Sequence, residues 1–212
     1  MHPLILAITG ASGAVYAVRL LDVLLASGRE VHLLISPSGK AVLKQELSVE
    51  VDLEHFDPAP LYDAMLHPLL QGAKPQSKRP EHSGKLLYHH HDDFMAPPAS
   101  GSFLTGGMVV CPCSGSTLSG IAHAASMNLI QRAADVHLKE HRRLILVPRE
   151  APLSVIQLDN LRKAAEAGAV ILPAMPGWYH GVSSIRDLVD FVVARILDQL
   201  AVPHTLMKRW GS

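Results

Sequence analysis

Residues 4–25 read LILAITGASGAVYAVRLLDVLL, and this stretch decides the fold. Leu4 to Thr9 is a short apolar run of strand length. After the turn Gly10-Ala11-Ser12-Gly13, apolar residues at Val15, Val18, Leu21, Leu24 and Leu25 repeat at helical spacing until Gly28 stops them. A strand, a glycine turn and a helix in that order are the opening unit of a parallel sheet covered by helices.

The unit recurs along the chain. Val31 to Ile35 reads as a second strand, followed by a helix from about Gly39 to Leu47 that carries Glu46. Met108 to Cys111 is a third strand, followed by the turn Pro112 to Thr117 and a helix through Ala125. Leu144 to Val147 and Ala169 to Leu172 supply two more strands, separated by a helix from about Ser154 to Ala167. A last helix is expected from Ser184 to Leu200, where Asp187 stands three residues after Ser184 as in a capping box. The stretch 57–91 is rich in Pro, Gly, His and charge and looks least ordered, with a polar loop expected around 61–91. The fold class expected is α/β with a parallel sheet, in one domain spanning 1–212.

Composition narrows the partners. Lys plus Arg equal Asp plus Glu at 19 each, so the chain lacks the positive field that nucleic acid or anionic lipid would attract. The N-terminal apolar run is too short for a signal segment or a membrane span, which predicts a cytoplasmic protein. Cys111 and Cys113, two apart on a strand, are expected to share a face as buried thiols without a disulfide, and no second ligand pair makes a zinc site with them. His89 to His91 read as an exposed loop, with incidental metal binding as the alternative. His123 and the methionines read as packing residues.

In an open α/β sheet the ligand lies beyond the carboxyl ends of the strands. Two Gly/Ser/Thr-rich turns fall there, and each is expected to offer helix N-terminal amides, with Ser12, Ser114, Ser116 and Thr117 adding hydroxyls suited to phosphate. For the first turn a tight turn with Ser12 as helix cap is an equal reading. That turn lacks G-x-G-x-x-G, and no acid closes the second strand to hold a ribose, so a mononucleotide suits better than a dinucleotide. Arg132, Asp135 and Lys139 precede a strand ending in Arg149 and Glu150, which places several ionisable groups near one strand end or, in the plainer reading, in surface ion pairs.

The strings ITGASGAVYAVRLL, MAPPASGS, VVCPCSGSTLSGI, RAADVHLKE, LVPREAPLS, PGWY and VVARILDQ resemble the UbiX flavin prenyltransferase family over nearly the whole chain, most poorly at Leu61 to His91. The resemblance implies a Rossmann-like, flavodoxin-type three-layer subunit in a dodecamer, FMN as cofactor and reduced co-substrate, and no metal. It implies dimethylallyl monophosphate as donor and a UbiD-type decarboxylase as user of the prenylated flavin, with ubiquinone synthesis as one such pathway. By similarity Gly10, Ala11, Ser12, Ser36, Ser114, Gly115, Ser116, Thr117 and Arg149 hold FMN. Ser100, Arg132, Lys139, Tyr179, Arg195 and Trp210 surround the donor, several from a neighbouring subunit. Ser12 and Glu46 serve proton movement, Lys139 adds charge, and Glu150 protonates the leaving phosphate before assisting the second bond, at flavin C6. No D-D-x-x-D follows Asp92-Asp93, in keeping with a cationic clamp.

Two other readings have distinct signatures. The related cysteine decarboxylases carry P-A-S-A-N-T and P-x-M-N-x-x-M-W where this chain reads CPCSGST and PAMPGWY. A non-catalytic flavin carrier would need the phosphate turns but not Lys139, Glu150, Tyr179 and Arg195. Tyr179 and Trp178 also suit core or interface positions.

Overall fold

The structure, a computed structural model, describes residues 2–72, 78 and 81–209. The strands are β1 Leu4–Ile8, β2 Glu30–Ile35, β3 Lys85–His89, β4 Gly107–Cys113, β5 Leu144–Pro148 and β6 Val170–Ile171. The α-helices are α1 Ala14–Ala26, α2 Pro37–Leu47, α3 Ala59–Ala64, α4 Gly115–Ala122, α5 Leu129–Lys139, α6 Val155–Glu166 and α7 Ile185–Gln199. The six strands form one sheet in the order β3-β2-β1-β4-β5-β6, every pairing parallel. This is the expected Rossmann-like three-layer architecture, with the order reversing between β1 and β4. No helix among the described residues is long and apolar enough to cross a membrane.

Two apolar layers flank the sheet. Leu4, Leu6 and Ile8 pack with Leu20, Leu21 and Leu24 of α1 and Val192, Val193 and Ile196 of α7. Ile5, Ala7, Val110 and Leu146 pack with Leu118 of α4, Ile130 and Ala134 of α5 and Ala164 of α6. Alternation along β1 therefore assigns one layer to each parity of residue, as the strand's period of two requires.

Several expectations are corrected. Within the stretch 57–91 the described residues form α3, a short 3-10 turn at Pro68–Leu70 and the edge strand β3, while residues 73–77, 79 and 80 of the expected polar loop lie outside the described residues. His89 ends β3, stacked on His32 with centroids 4.9 Å apart, so the histidine run is half-buried and not an exposed loop. Cys111 and Cys113 are buried free thiols but lie in opposite layers, because a register shift between Val110 and Cys113 inserts an extra residue and flips the face. Burial pushes both thiols up, Cys113 to about 12. His123 is exposed, bonded to Ser119 O and Lys163, and Met95, Met127 and Met175 are exposed too.

One buried hydroxyl fastens the switch point. Thr9, just past β1, donates from Oγ1 to Pro112 O at 2.7 Å and accepts from the Ser114 amide at 2.8 Å. Thr9→Val keeps the volume but leaves the Ser114 amide without that acceptor, which costs about 1–3 kcal/mol when the group stays buried. Denaturant unfolding should register a loss of that size, and unchanged stability would show the staple to be dispensable.

The start of α7 offers a pH test. The capping box at Ser184 and Asp187 is present, and the carboxylate is held below its ordinary value first by the Ser183 amide, then by the hydroxyls and amide around it, against a smaller effect of burial. A depressed folded-state pKa contributes stability that is complete above the unfolded value and lost as pH falls through the folded one. Asp187→Ala should therefore lower the thermal midpoint at neutral pH, with the gap closing in strong acid. A gap independent of pH would overturn the account.

Candidate functional site

The crevice opens where β1 and β4 part and send α1 and α4 to opposite faces of the sheet. Gly10 to Gly13 forms its floor. A Cβ on Gly10 would come within 2.3 Å of Ser38 Cβ, so the turn and the start of α2 are in close contact. Gly13 adopts a φ of 120° and a Cβ there would strike the Tyr16 ring at 2.9 Å, so both conformation and space demand glycine.

The first turn is not the bare anion site that its sequence suggests. Gly13, not Ser12, is the N-cap of α1, and it makes no side-chain cap. The Glu46 carboxylate, from the last turn of α2, accepts from the Gly13 amide at 2.9 Å and the Ala14 amide at 2.8 Å. The positive end of α1 is therefore already met by a fixed negative charge, one residue from Ser12. Sequence spacing placed Glu46 on a helix but could not show that α2 delivers it across the α1 terminus.

The second turn keeps its anion-binding character. The sequence boundary moves, because Cys113 still belongs to β4 and Gly115, Ser116 and Thr117 form the first turn of α4. Ser114 is the N-cap and accepts from the Thr117 amide at 3.3 Å, while its hydroxyl also meets Ser116 Oγ at 3.2 Å and Thr117 Oγ1 at 3.0 Å. The amides of Gly115 and Ser116 precede the intrahelical ladder, the usual place for a phosphate. Across the crevice Ser36 caps α2 through the Gly39 amide, and its own amide donates to Ile8 O. Hydroxyls and helix-terminal amides thus face the floor from two sides, a donor set that fits a flavin mononucleotide's phosphate.

Arg149 and Glu150 follow β5 directly and are exposed. The pairing of Cys113 with Pro148 sets them beside the α4 turn. With Pro148, Leu153, Leu161 and Met175 they line a cavity of about 190 Å³. Sequence reasoning missed Gln157, which donates to Glu150 Oε2 at 3.4 Å and comes within 3.5 Å of a Cβ built on Gly115. The S-x-x-Q spacing of Ser154 and Gln157 was the available signal, and both halves of that capping box are formed.

The remaining residues fall elsewhere in the subunit. The segment 99–101 runs beside α5, where Arg132 Nε donates to Ala99 O at 3.1 Å and Lys139 Nζ would lie 3.2 Å from a Cβ on Gly101. Ser100 therefore sits with Arg132 and Lys139. Lys139 pairs with Glu140 at 2.7 Å and Arg132 with Asp135 at 3.1 Å. For Lys139 the expectation that it lies at the strand end bearing Glu150 fails within one chain: Lys139 ends α5 at the start of β5, and five strand residues separate the ends by roughly 16 Å, whereas Arg132 lies near the opposite end of α5. Tyr179 is exposed beyond β6 and packs edge-on against Phe191, with centroids 5.8 Å apart. Arg195, exposed on α7, is paired with Asp198 at 2.7 Å. Trp210 lies outside the described residues.

Comparison with known proteins agrees with this arrangement. The family model described as Flavoprotein matches residues 1–197. The flavin prenyltransferase UbiX of Pseudomonas aeruginosa is 48% identical, over 98% of this chain and 93% of its own length. That of Alkalihalophilus pseudofirmus is 46% identical, over 97% and 94%. Among solved structures, AnUbiX (PadA1) in complex with FMN and dimethylallyl pyrophosphate superposes with a TM-score of 0.83 at 35% identity, covering 100% of this chain and 98% of that one. A dodecameric FMN-dependent UbiX-like decarboxylase from Escherichia coli O157:H7 gives 0.80 at 35% identity, covering 99% and 100%. The cysteine decarboxylase TvaF, at 16% identity and a TM-score of 0.57, shares the fold alone. An FMN-suited crevice on a full-length match of this kind settles the family: the chain belongs to the UbiX flavin prenyltransferases.

Proposed function

We propose that the chain transfers the dimethylallyl group of dimethylallyl monophosphate to N5 and then C6 of reduced FMN, for use by a UbiD-type decarboxylase in the cytoplasm, with ubiquinone synthesis as one pathway served. The observation that carries this reading is the pairing of opposites across one crevice, with the Glu46 carboxylate fixed on the α1 terminus and the Ser114 to Thr117 turn facing it. Gly10, Ala11, Ser12, Ser36, Ser114 to Thr117 and Arg149 hold the mononucleotide. Reduced flavin supplies the nucleophile when bound.

The chain's own residues handle charge and protons. Arg132, Lys139 and Arg195 neutralise the departing phosphate, with Ser100, Tyr179 and Trp210 completing its surroundings. Glu150 delivers a proton to the leaving oxygen and, as a base, accepts one at the second bond. Ser12, adjacent to the Glu46-bound turn, passes protons at the flavin.

Lys139 and Glu150 can meet only if different copies of the chain contribute them, so a homo-oligomer follows from the chemistry. Exposed Phe94, Met95, Met127, Met175, Trp178 and Tyr179 supply apolar surface for such contacts. The dodecamer of the E. coli relative is the assembly we adopt. A light-scattering mass of one chain at working concentration would contradict it.

Glu46→Gln separates the roles of that residue. The amide places a donor among the Gly13 and Ala14 donors, so both the thermal midpoint and the transfer rate should fall. A stable variant turning over at the parent rate across pH would remove Glu46 from proton transfer.

For the donor, each charge-assisted hydrogen bond to phosphate contributes about 1.5–3 kcal/mol, or roughly ten- to a hundredfold. Arg195→Ala and Tyr179→Phe should keep FMN affinity and thermal midpoint while transfer from subsaturating dimethylallyl monophosphate falls by that factor. The readout is the flavin mass after anaerobic turnover, compared with dimethylallyl diphosphate as donor. Parent rates in both variants would move the donor site elsewhere, and failure of the parent protein to add one prenyl unit to FMN would overturn the whole reading.

A further inference from the structure

Beyond the flavin crevice, ionisable side chains collect where β3 ends at the far edge of the sheet. We propose that His90, His91, Asp92 and Glu54 form a binding site for a divalent transition-metal ion of the zinc type, separate from the prenyl-transfer site.

Ligand atoms of His90, His91 and Asp92 all lie within 4.8 Å of one another. Glu54 Oε1 stands 3.4 Å from His90 Nε2, and Asp92 Oδ2 stands 3.2 Å from His91 Nε2. A tetrahedral zinc ion with bonds of about 2.0–2.2 Å holds neighbouring ligand atoms roughly 3.3–3.6 Å apart. The two measured separations lie close to that spacing, and rotation of the exposed Asp92 and Glu54 side chains would draw them and the two imidazoles around one ion. Two neutral imidazoles and two carboxylates also balance the charge of a divalent ion.

The backbone beneath these groups is fixed. His91 O accepts from the Leu129 amide at 2.7 Å, tying the run to the start of α5, and the Asp93 amide donates to His90 O at 3.0 Å. On the other side the Tyr88 hydroxyl donates to Leu53 O at 3.0 Å, and the Glu54 amide donates to Asp52 Oδ1 at 2.8 Å. His91 Nδ1 is buried with no hydrogen-bond partner among the described residues, so the protein does not use the full capacity of that ring. Imidazole donors select zinc, nickel or copper over magnesium and calcium. A bound ion would join the loop carrying Glu54 to the segment that leads from β3 toward Ser100.

The test uses the full chain, prepared without a histidine tag and stripped with chelator, titrated calorimetrically with Zn²⁺ in the presence of excess Ca²⁺. One zinc ion per chain is expected, and His91→Ala, Asp92→Asn and Glu54→Gln should each weaken it by at least about tenfold. The exposed controls His55→Ala and His123→Ala should bind as the parent does. Metal-free thermal midpoints show whether a variant has failed to fold, and Glu54→Gln, on an exposed side chain, remains readable if the histidine variants have. Absence of stoichiometric zinc binding, displacement by Ca²⁺, or equal weakening in the controls would overturn the proposal.

Discussion

The Thr9 hydroxyl is the small group on which the crevice depends. Its two hydrogen bonds, with the Pro112 carbonyl and the Ser114 amide, join the ends of the strands whose helices diverge. They reinforce the backbone bond from the Thr9 amide to the Pro112 carbonyl at 3.2 Å, which holds the same two strand ends together. The same bonds set the start of α4, since Ser114 is also that helix's cap. A buried hydroxyl with both its donor and an acceptor site used is a stiff connector, because breaking either bond strands a polar group away from water.

From that floor the electrostatics divide. The α1 terminus is met by Glu46, so its partial positive charge stabilises a protein carboxylate and not a ligand. Among the described residues, the α4 terminus is met by its own serine and threonine hydroxyls and, at the Ser114 amide, by the Thr9 hydroxyl, with no carboxylate on its amides. An anionic ligand at α4 and the Glu46 carboxylate at α1 therefore do not compete for the same amides. The same sheet that creates this site also separates Glu150 from Lys139, because a helix and its following strand run in opposite directions.

The β3 edge shows how a polar stretch can still be structured. Its hydrogen bonds to β2 organise a strand whose outer side has no further neighbour in the sheet. Few apolar residues are needed there, and the positions so released carry histidine and acid.

Much of this was legible in the sequence because its causes are local. The alternation of apolar runs with helical periodicity, the glycines of the first turn, and the S-x-x-D cap at Ser184 specify their own geometry through neighbours a few residues away. The motif strings could be matched to a family for the same reason, since each turn is a short continuous segment. What the sequence could not determine depends on contacts between distant segments. Only the tertiary structure brought Glu46 onto α1, made Thr9 the link between β1 and β4, inserted the bulge that sends Cys111 and Cys113 to opposite layers, and paired 85–89 with β2 although its composition reads as loop. It also parted Lys139 from Glu150, eleven positions apart in sequence but at opposite ends of β5. Local periodicity fixes which elements form, whereas chain direction and register fix which side chains can meet.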